Sequence, residues 1–473
     1  MYASDTIAAV ATPPGAGGIG IVRLSGPHVG EIAARMFRAQ AQPATWASHR
    51  LYRGSVIDAQ GRTLDEGLAV IMRAPHSYTG EDVLELHCHG SPAGLRRVIM
   101  AVLAHGARLA EPGEFTRRAF LNGRLDLAQA EAIVELIAAR SEEGAAIGAD
   151  HLAGRLSHAL NEIRQGLLDI RARIEVQIDF SDEDVRVDQG ELTADIERAH
   201  TQVVALRDSY RHGKLVRQGL RVVITGKPNA GKSSLLNALL RAERAIVTSI
   251  PGTTRDVIEE AADFHGIPVL LSDTAGIRQP GDSVEQLGVS RARAKLAEAE
   301  VVLAVFDRTR PLDRDDAEVA ALARGLLFPG SEKREPPRQL LRQVVAVLNK
   351  SDLPAVIGEG ELCDQLGLKP AVNVSAVTGA GLDALRAAVV TAVEQQSEVP
   401  ANQPIVTLTR HHDALAKAGT ALQLALDGVR QCQPLELVAV DIQRAADQLA
   451  EITGSLTSED VLDRIFAQFC IGK

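Results

Sequence analysis

Between residues 5 and 120 the apolar positions come in short clusters: Ile7–Ala11, Ile19–Leu24, Leu68–Met72 and Val83–His89. Pro13-Pro14-Gly15 and Pro75 punctuate them. Short apolar runs divided by turn residues predict strands. Some helix is expected as well, with Leu95–His105 at helical spacing, so an α+β domain is expected here. From Gly113 to Lys227 the chain has no proline for 115 residues, and the period changes. Leu152, Leu156, Leu160, Ile163, Leu167, Ile170, Ile174 and Ile178 recur every three or four positions. That spacing predicts one long helix with a single apolar stripe. The acid-rich stretch Asp179–Asp184 ends it.

At Arg221 the pattern changes again. Val222–Thr225, Val269–Ser272, Val301–Asp307, Val344–Asn349 and Ala371–Ser375 are apolar strand-like runs separated by helical ones. This alternation predicts a doubly wound, mostly parallel sheet. After about residue 383 the pattern is helical to the end, apart from a break near Pro400–Pro404. Amphipathic helices need a partner for their apolar face, so the helical flanks are expected to pack together as one discontinuous domain. The expected boundaries are 1–120 (α+β), 121–219 (helical, first part), 220–382 (α/β insertion) and 383–473 (helical, second part).

Composition narrows the class. The 473 residues are 45% hydrophobic and 24% charged, the mix of a multidomain globular protein, with a formal charge of −10. A general polyanion binder would need an excess of Lys and Arg. Residues 1–125 are the exception, with 13 Arg, no Lys and 10 acids. The four cysteines (Cys88, Cys363, Cys432, Cys470) are too scattered for a disulfide or metal framework. The N-terminus lacks a signal-peptide pattern, no apolar run is long enough to cross a membrane, and the final Cys-Ile-Gly-Lys is no lipidation box. A cytoplasmic setting without membrane contact is expected.

The most specific chemistry is Gly226-Lys227-Pro228-Asn229-Ala230-Gly231-Lys232-Ser233, followed by Ser234. It fits G-x-x-x-x-G-K-[ST] between an apolar strand and a helix. Its backbone N–H groups suit phosphate oxygens. Lys232 reaches toward the β- and γ-phosphates, and the Ser233 hydroxyl is a Mg²⁺ ligand. Asp273-Thr274-Ala275-Gly276 closes a second strand, placing Asp273 for water-mediated Mg²⁺ contact and the Gly276 N–H for the γ-phosphate. Asn349-Lys350-Ser351-Asp352 closes a third, and Ser375-Ala376 follows a fourth. A carboxylate at Asp352 accepts the N1–H and N2–H of guanine, a donor pair that adenine lacks. The ligand expected is therefore GTP. The segment Thr248-Ser249-Ile250-Pro251-Gly252-Thr253-Thr254 lies between phosphate loop and Asp273, with Thr254 placed as second Mg²⁺ ligand. Where Ras-type enzymes carry a water-orienting Gln, this chain has Ile277.

Two other motifs have structural readings. Gly15–Gly20 matches G-x-G-x-x-G but leads into the strand pattern Ile21–Ser25 instead of a helix. His87-Cys88-His89 sits on a strand, where alternation sends Cys88 away from both histidines.

The order of these motifs, with an Asn in the phosphate loop, resembles the TrmE–Era–EngA–septin-type class of GTPases over about residues 220–382. Outside that block, Asp5–Ala9, Ala11–Gly15, Ser77–Asp82, Pro112–Thr116, Ala119–Ala132 and Phe469–Lys473 are similar to the MnmE (TrmE) family of tRNA-modification GTPases. The resemblance implies a homodimer formed through the N-terminal domain, which binds a tetrahydrofolate donor in 5-formyl or methylene form. It implies a flavoprotein partner, MnmG, in a heterotetramer, and modification of C5 of the wobble uridine of certain tRNAs. By matching position, Arg23, Glu81, Arg124 and Lys473 are the folate residues, with Arg124 where the family has lysine. Pro251 likewise stands where the family has alanine. Neutral oxygens of Asn229, Thr248, Ile250 and Thr253 suit a large monovalent cation, and the resemblance implies K⁺. It also implies Glu285 as the catalytic residue that orients water. Cys470 is the one thiol in a matched segment, and no base is near it in sequence.

Two rival readings have less behind them. A ribosome-assembly switch of the Era or EngA kind would bring a KH module or a second phosphate loop, and this sequence has neither. A scaffold with a vestigial nucleotide site would not need Lys232, Ser233, Thr254, Asp273 and Asp352 together.

Overall fold

The computed structural model of the chain describes residues 5–180, 188–242, 260–273, 299–324, 343–369, 371–394 and 403–473. It contains two compact units. One comprises residues 1–134, 150–199 and 420–473, the other residues 135–149 and 200–419.

The first unit is built on a seven-stranded sheet of β1 (Ile7–Val10), β2 (Gly17–Ser25), β3 (Phe37–Ala39), β4 (Arg50–Ile57), β5 (Thr63–Met72), β6 (Val83–Gly90) and β7 (Arg108–Leu109). Their order is β3-β4-β5-β6-β2-β1-β7. Every pair is antiparallel except β1 with β7. Alternation along β2 and β6 turns Val22, Leu24, Leu84, Leu86 and Cys88 toward helices Val29–Met36 and Pro92–Ala104. Arg23, Glu85 and His87 face the other way. The G-x-G-x-x-G segment leads into strand and not helix, as the pattern predicts, but its Gly17–Gly20 part already lies within β2 instead of a turn. A Cβ at Gly20 would meet the Leu95 side chain at 2.5 Å, so its glycine serves packing. Buried Cys88 has its thiol pushed up to about 12 by burial, reinforced by the nearby Asp65 charge. His87 bonds Glu85 and His89 bonds Asp65, and no group of three or more metal-ligating side chains occurs among the described residues.

The expected single long helix is two. Gly154, left-handed at φ 87°, separates Glu142–Leu152 from Arg155–Asp179, so Leu152 does not belong to the long stripe. From Leu156 through Ile174 that stripe packs along helix Leu435–Thr453, with Arg171 donating to Gln443. Leu127, Ala130 and Ile133 pack with Leu462, Ile465, Phe466 and Phe469. Helical segments from before and after the α/β block thus share a core, which meets the expectation of one discontinuous domain.

In the second unit a six-stranded sheet contains β8 (Leu220–Gly226), β9 (Glu260–Phe264), β10 (Ile267–Asp273), β11 (Val301–Asp307), β12 (Gln343–Asn349) and β13 (Ala371–Asn373). The order is β13-β12-β11-β8-β10-β9, parallel except for β9. The sequence pattern did not reveal β9, an edge strand whose Glu260, Asp263 and two alanines give no apolar run. Both sheet faces are covered. Val301, Leu303 and Val305 join the core with helices Lys232–Ala242 and Leu382–Glu394. Val302, Ala304 and Phe306 join the one with Arg314–Ala323 and Glu359–Leu366. A strand buried on both sides reads as a continuous apolar run. Among the described residues no helix is long and apolar enough to cross a membrane.

Candidate nucleotide site and N-terminal polar cluster

Strands β8, β11 and β12 end at the same edge of their parallel sheet, where open α/β sheets bind ligands. Gly226 ends β8 at φ 157°, and a Cβ there would stand 2.5 Å from the Val305 carbonyl oxygen. Asn229 is left-handed at φ 64°, a conformation Asn tolerates better than most residues. Gly231 has φ 91°, and an added Cβ would lie 2.1 Å from Asn349 Nδ2. The turn is therefore a concave backbone cradle that opens helix Lys232–Ala242, whose first N–H groups have no intrahelical acceptors. Lys232 Nζ donates to the Lys227 carbonyl at 2.7 Å within this turn.

Asn349, 2% exposed, joins three loops. Its Nδ2 donates to the Ala230 carbonyl at 2.9 Å, and its Oδ1 accepts from Ala376 N at 3.2 Å. Ser351 N donates to the Val374 carbonyl at 2.9 Å, and Ser375 Oγ donates to Asp352 Oδ1 at 2.6 Å. Asp352 is exposed at the outer end of this arrangement, with its second oxygen directed at no protein donor that is described. The structure thus brings Asn229–Ser234, Asn349–Asp352 and Ser375-Ala376 to one edge. Asp273 ends β10 at that edge by its backbone. Thr248–Thr254, Thr274–Gly276, Ile277 and Glu285 lie outside the described residues.

Sequence reasoning missed two lysine contacts here. Lys227, 8% exposed, pairs with Asp313 Oδ2 at 2.5 Å and Asp316 Oδ2 at 3.0 Å. Lys350 pairs with Asp307 Oδ2 at 2.6 Å. These acids lie 43 to 89 positions away along the chain, in segments that carry no nucleotide motif.

In the first unit the four matched residues fall into two neighbouring groups. Arg23 Nε and Nη2 each approach Glu85 Oε1 at 2.8 Å, and Nη1 reaches the Gly472 carbonyl at 3.4 Å. Its guanidinium carbon stands 5.4 Å from the Tyr78 ring centroid. The hydrogen bond from His87 holds the Glu85 carboxyl below its ordinary range against the effect of burial, helped by Arg23. Burial and the Arg23 charge lower the Lys473 ammonium, opposed by Glu85 and Cys470. Glu81 instead accepts from Ser25 Oγ at 2.7 Å and pairs with Arg118 at 3.1 Å. Arg124 Nε donates to the Ser77 carbonyl at 3.1 Å, at the start of the loop that carries Tyr78 and Glu81. Arg23 and Glu81 consequently answer to different partners and not to each other.

Arg118, 3% exposed, also bonds Asp5 Oδ1 at 2.7 Å and Glu114 Oε1 at 3.0 Å, while Arg108 bonds the same two acids. Burial pushes the Asp5 and Glu114 carboxyls up, but hydrogen bonds from Arg108 and Arg118, with a backbone N–H at Glu114, hold both below their ordinary values. Arg118 stands in no sequence motif, since two of its three acid partners are 37 and 113 positions away.

A family model described as MnmE helical domain matches residues 127–470, and one described as GTP-binding protein TrmE N-terminus matches residues 6–124. The chain belongs to the MnmE family. It is 44% identical over 477 residues to the tRNA modification GTPase MnmE of Geobacter metallireducens, covering all of both chains. It is 45% identical over 476 residues to that of Moorella thermoacetica, covering 99% of each. Among solved structures, Aquifex aeolicus Era matches 43% of this chain and 67% of its own at 28% identity, with a TM-score of 0.27.

Proposed function

We propose that this chain is a GTP hydrolase that acts in the cytoplasm, as a homodimer, in modification of the wobble uridine of tRNA. The observation that carries this reading is a base loop with Asp352, fastened through Asn349 to a phosphate loop, in a chain whose other parts match the MnmE family models. The names of the full-length relatives support the tRNA substrate. No comparable observation favours the ribosome-assembly reading.

In this proposal the cradle N–H groups bind the phosphates, and Lys232 Nζ exchanges the Lys227 carbonyl for phosphate oxygens. Asp352 accepts the guanine N1–H and N2–H. A nucleotide lacking that donor pair would leave the carboxylate unpaired at the base. The left-handed turns at Asn229 and Gly231 shape the cradle, and the absent Cβ at Gly231 makes room for the Asn349 amide that fastens the base loop to it. Ser233 and Thr254 would hold Mg²⁺, which supplies positive charge against the phosphate oxygens. Asn229, Thr248, Ile250 and Thr253 would hold K⁺, whose charge offsets that building on the leaving oxygen, the place an arginine finger fills elsewhere. Glu285 would orient the attacking water. In the N-terminal unit Arg23, Glu81, Arg124 and Lys473 would bind the tetrahydrofolate donor, and MnmG would act as the flavoprotein partner.

Single-turnover GTP hydrolysis in matched K⁺ and Na⁺ buffers tests the hydrolytic part. Fast turnover in K⁺ only, with slow hydrolysis by Asn229→Ala and Glu285→Ala despite retained GTP binding, is the expected result. Equal rates in the two salts would refute the cation assignment.

A further inference from the structure

The turn after β11 contacts both nucleotide loops, although none of its residues belongs to a nucleotide motif. Asp307 ends the strand, and its carboxylate accepts from Thr309 N at 3.0 Å and Thr309 Oγ1 at 2.7 Å while pairing with Lys350. Asp313 caps helix Arg314–Ala323 by accepting from Asp315 N and Asp316 N, and together with Asp316 it holds Lys227. Lys227 belongs to the phosphate loop and Lys350 to the base loop. Main chain adds to the connection, since Arg308 N donates to the Asn349 carbonyl at 3.3 Å.

We propose that Asp307–Asp316 is a positioning brace for the nucleotide, in which two lysine–carboxylate tethers fix the phosphate loop and the base loop to one turn. The acids act through Lys227 and Lys350 and do not themselves touch the ligand. Lys227 is the firmer tether, because a buried ammonium that loses its carboxylates must move toward water. Its carbonyl is the rest position of Lys232 Nζ, so movement of Lys227 carries the phosphate-binding lysine with it. Lys350 sits at φ 66°, an uncommon conformation for lysine, and Asp307 holds its far end. Releasing that end loosens the segment that presents Asp352.

The inference rests on the nucleotide reading above, and titration of the full chain with fluorescent GDP and IDP tests the two separately. Hypoxanthine lacks the guanine 2-amino group, so the GDP-over-IDP ratio reports how well Asp352 is placed. Asp307→Asn keeps the Thr309 bonds and loses the charge. It should weaken GDP binding by about 10-fold and lower the GDP-over-IDP ratio. The Asp313→Asn/Asp316→Asn double variant keeps the capping acceptors, and should weaken both nucleotides by about 10-fold with the ratio unchanged. Lys227→Arg keeps a cation for the two acids and should bind within about 3-fold of the parent, whereas Lys227→Met should not. A parent chain that fails to bind GDP overturns the nucleotide reading itself. A parent that binds, with an unchanged ratio in Asp307→Asn or with Lys227→Met equal to Lys227→Arg, overturns the brace alone.

Discussion

At the ligand edge of the six-stranded sheet, the groups that face the ligand are main chain in a glycine cradle and a helix start. They are joined by one buried amide, Asn349, with the lysine–carboxylate pairs set behind them. In the N-terminal unit the corresponding work is done by charge. Arg118 and Arg108 sit between Asp5, Glu81 and Glu114, all drawn in by side chains. Backbone donors cannot change with sequence and lose nothing on neutralisation. An ion cluster depends on every member, since removing one leaves the others buried and unpaired. The two regions therefore differ in how they fail.

The largest expected effect is in the ion cluster. Arg118→Met should cost about 3–5 kcal/mol, because buried Glu114 loses a partner and Glu81 is released. Denaturant unfolding of the full chain measures this. A change within about 0.5 kcal/mol would put Arg118 among ordinary surface charges. At the nucleotide edge Gly231→Ala should cost less, about 1–3 kcal/mol of stability, but weaken GTP binding by about 100-fold. The added Cβ meets Asn349 Nδ2, and alanine is strained at φ 91°. GTP titration checks it, and undiminished affinity would mean that the cradle is not the phosphate site.

These two positions also mark what was legible in sequence. Gly231 lies within an eight-residue motif whose spacing is dictated by one continuous backbone turn; Asn349 ends a strand, and Asp352 and Ser375 come within three residues of a strand's end. Such sites are written in consecutive residues. Arg118 follows Glu114 by four residues on one helix, but Asp5 and Glu81 reach it only through the fold. The same holds for Glu85 beside Arg23, and for Asp307 and Asp313 beside the two lysines. Strand β9 was missed for a related reason, since an edge strand needs no apolar run. The break at Gly154 was missed because hydrophobic period continues across it, and only the left-handed glycine interrupts the helix.

A smaller effect sharpens base selection. Asp352→Asn should weaken GTP by about 30-fold and favour xanthosine triphosphate, whose C2 carbonyl suits an amide donor. Competition titration decides it, and equal GTP affinity in variant and parent would remove the guanine pocket.

The smallest effect concerns pH. Asp5 and Glu114 have folded pKa values below their ordinary 3.8 and 4.5, so their contribution to stability is complete above those values. It is lost as pH falls through the lowered folded values. Unfolding midpoints of the parent should fall on acidification below about pH 4, and those of Arg118→Met should fall less. Parallel acid profiles would mean the arginine does not stabilise the carboxylates.

The most direct test of the proposed function is mass spectrometry of wobble uridines in tRNA from a strain lacking this chain, complemented with the parent or with Gly231→Ala. Uridines without their C5 substituent are expected in the deletion, with restoration by the parent and none by Gly231→Ala despite normal protein levels. Fully modified wobble uridines in the deletion strain would contradict the proposed function.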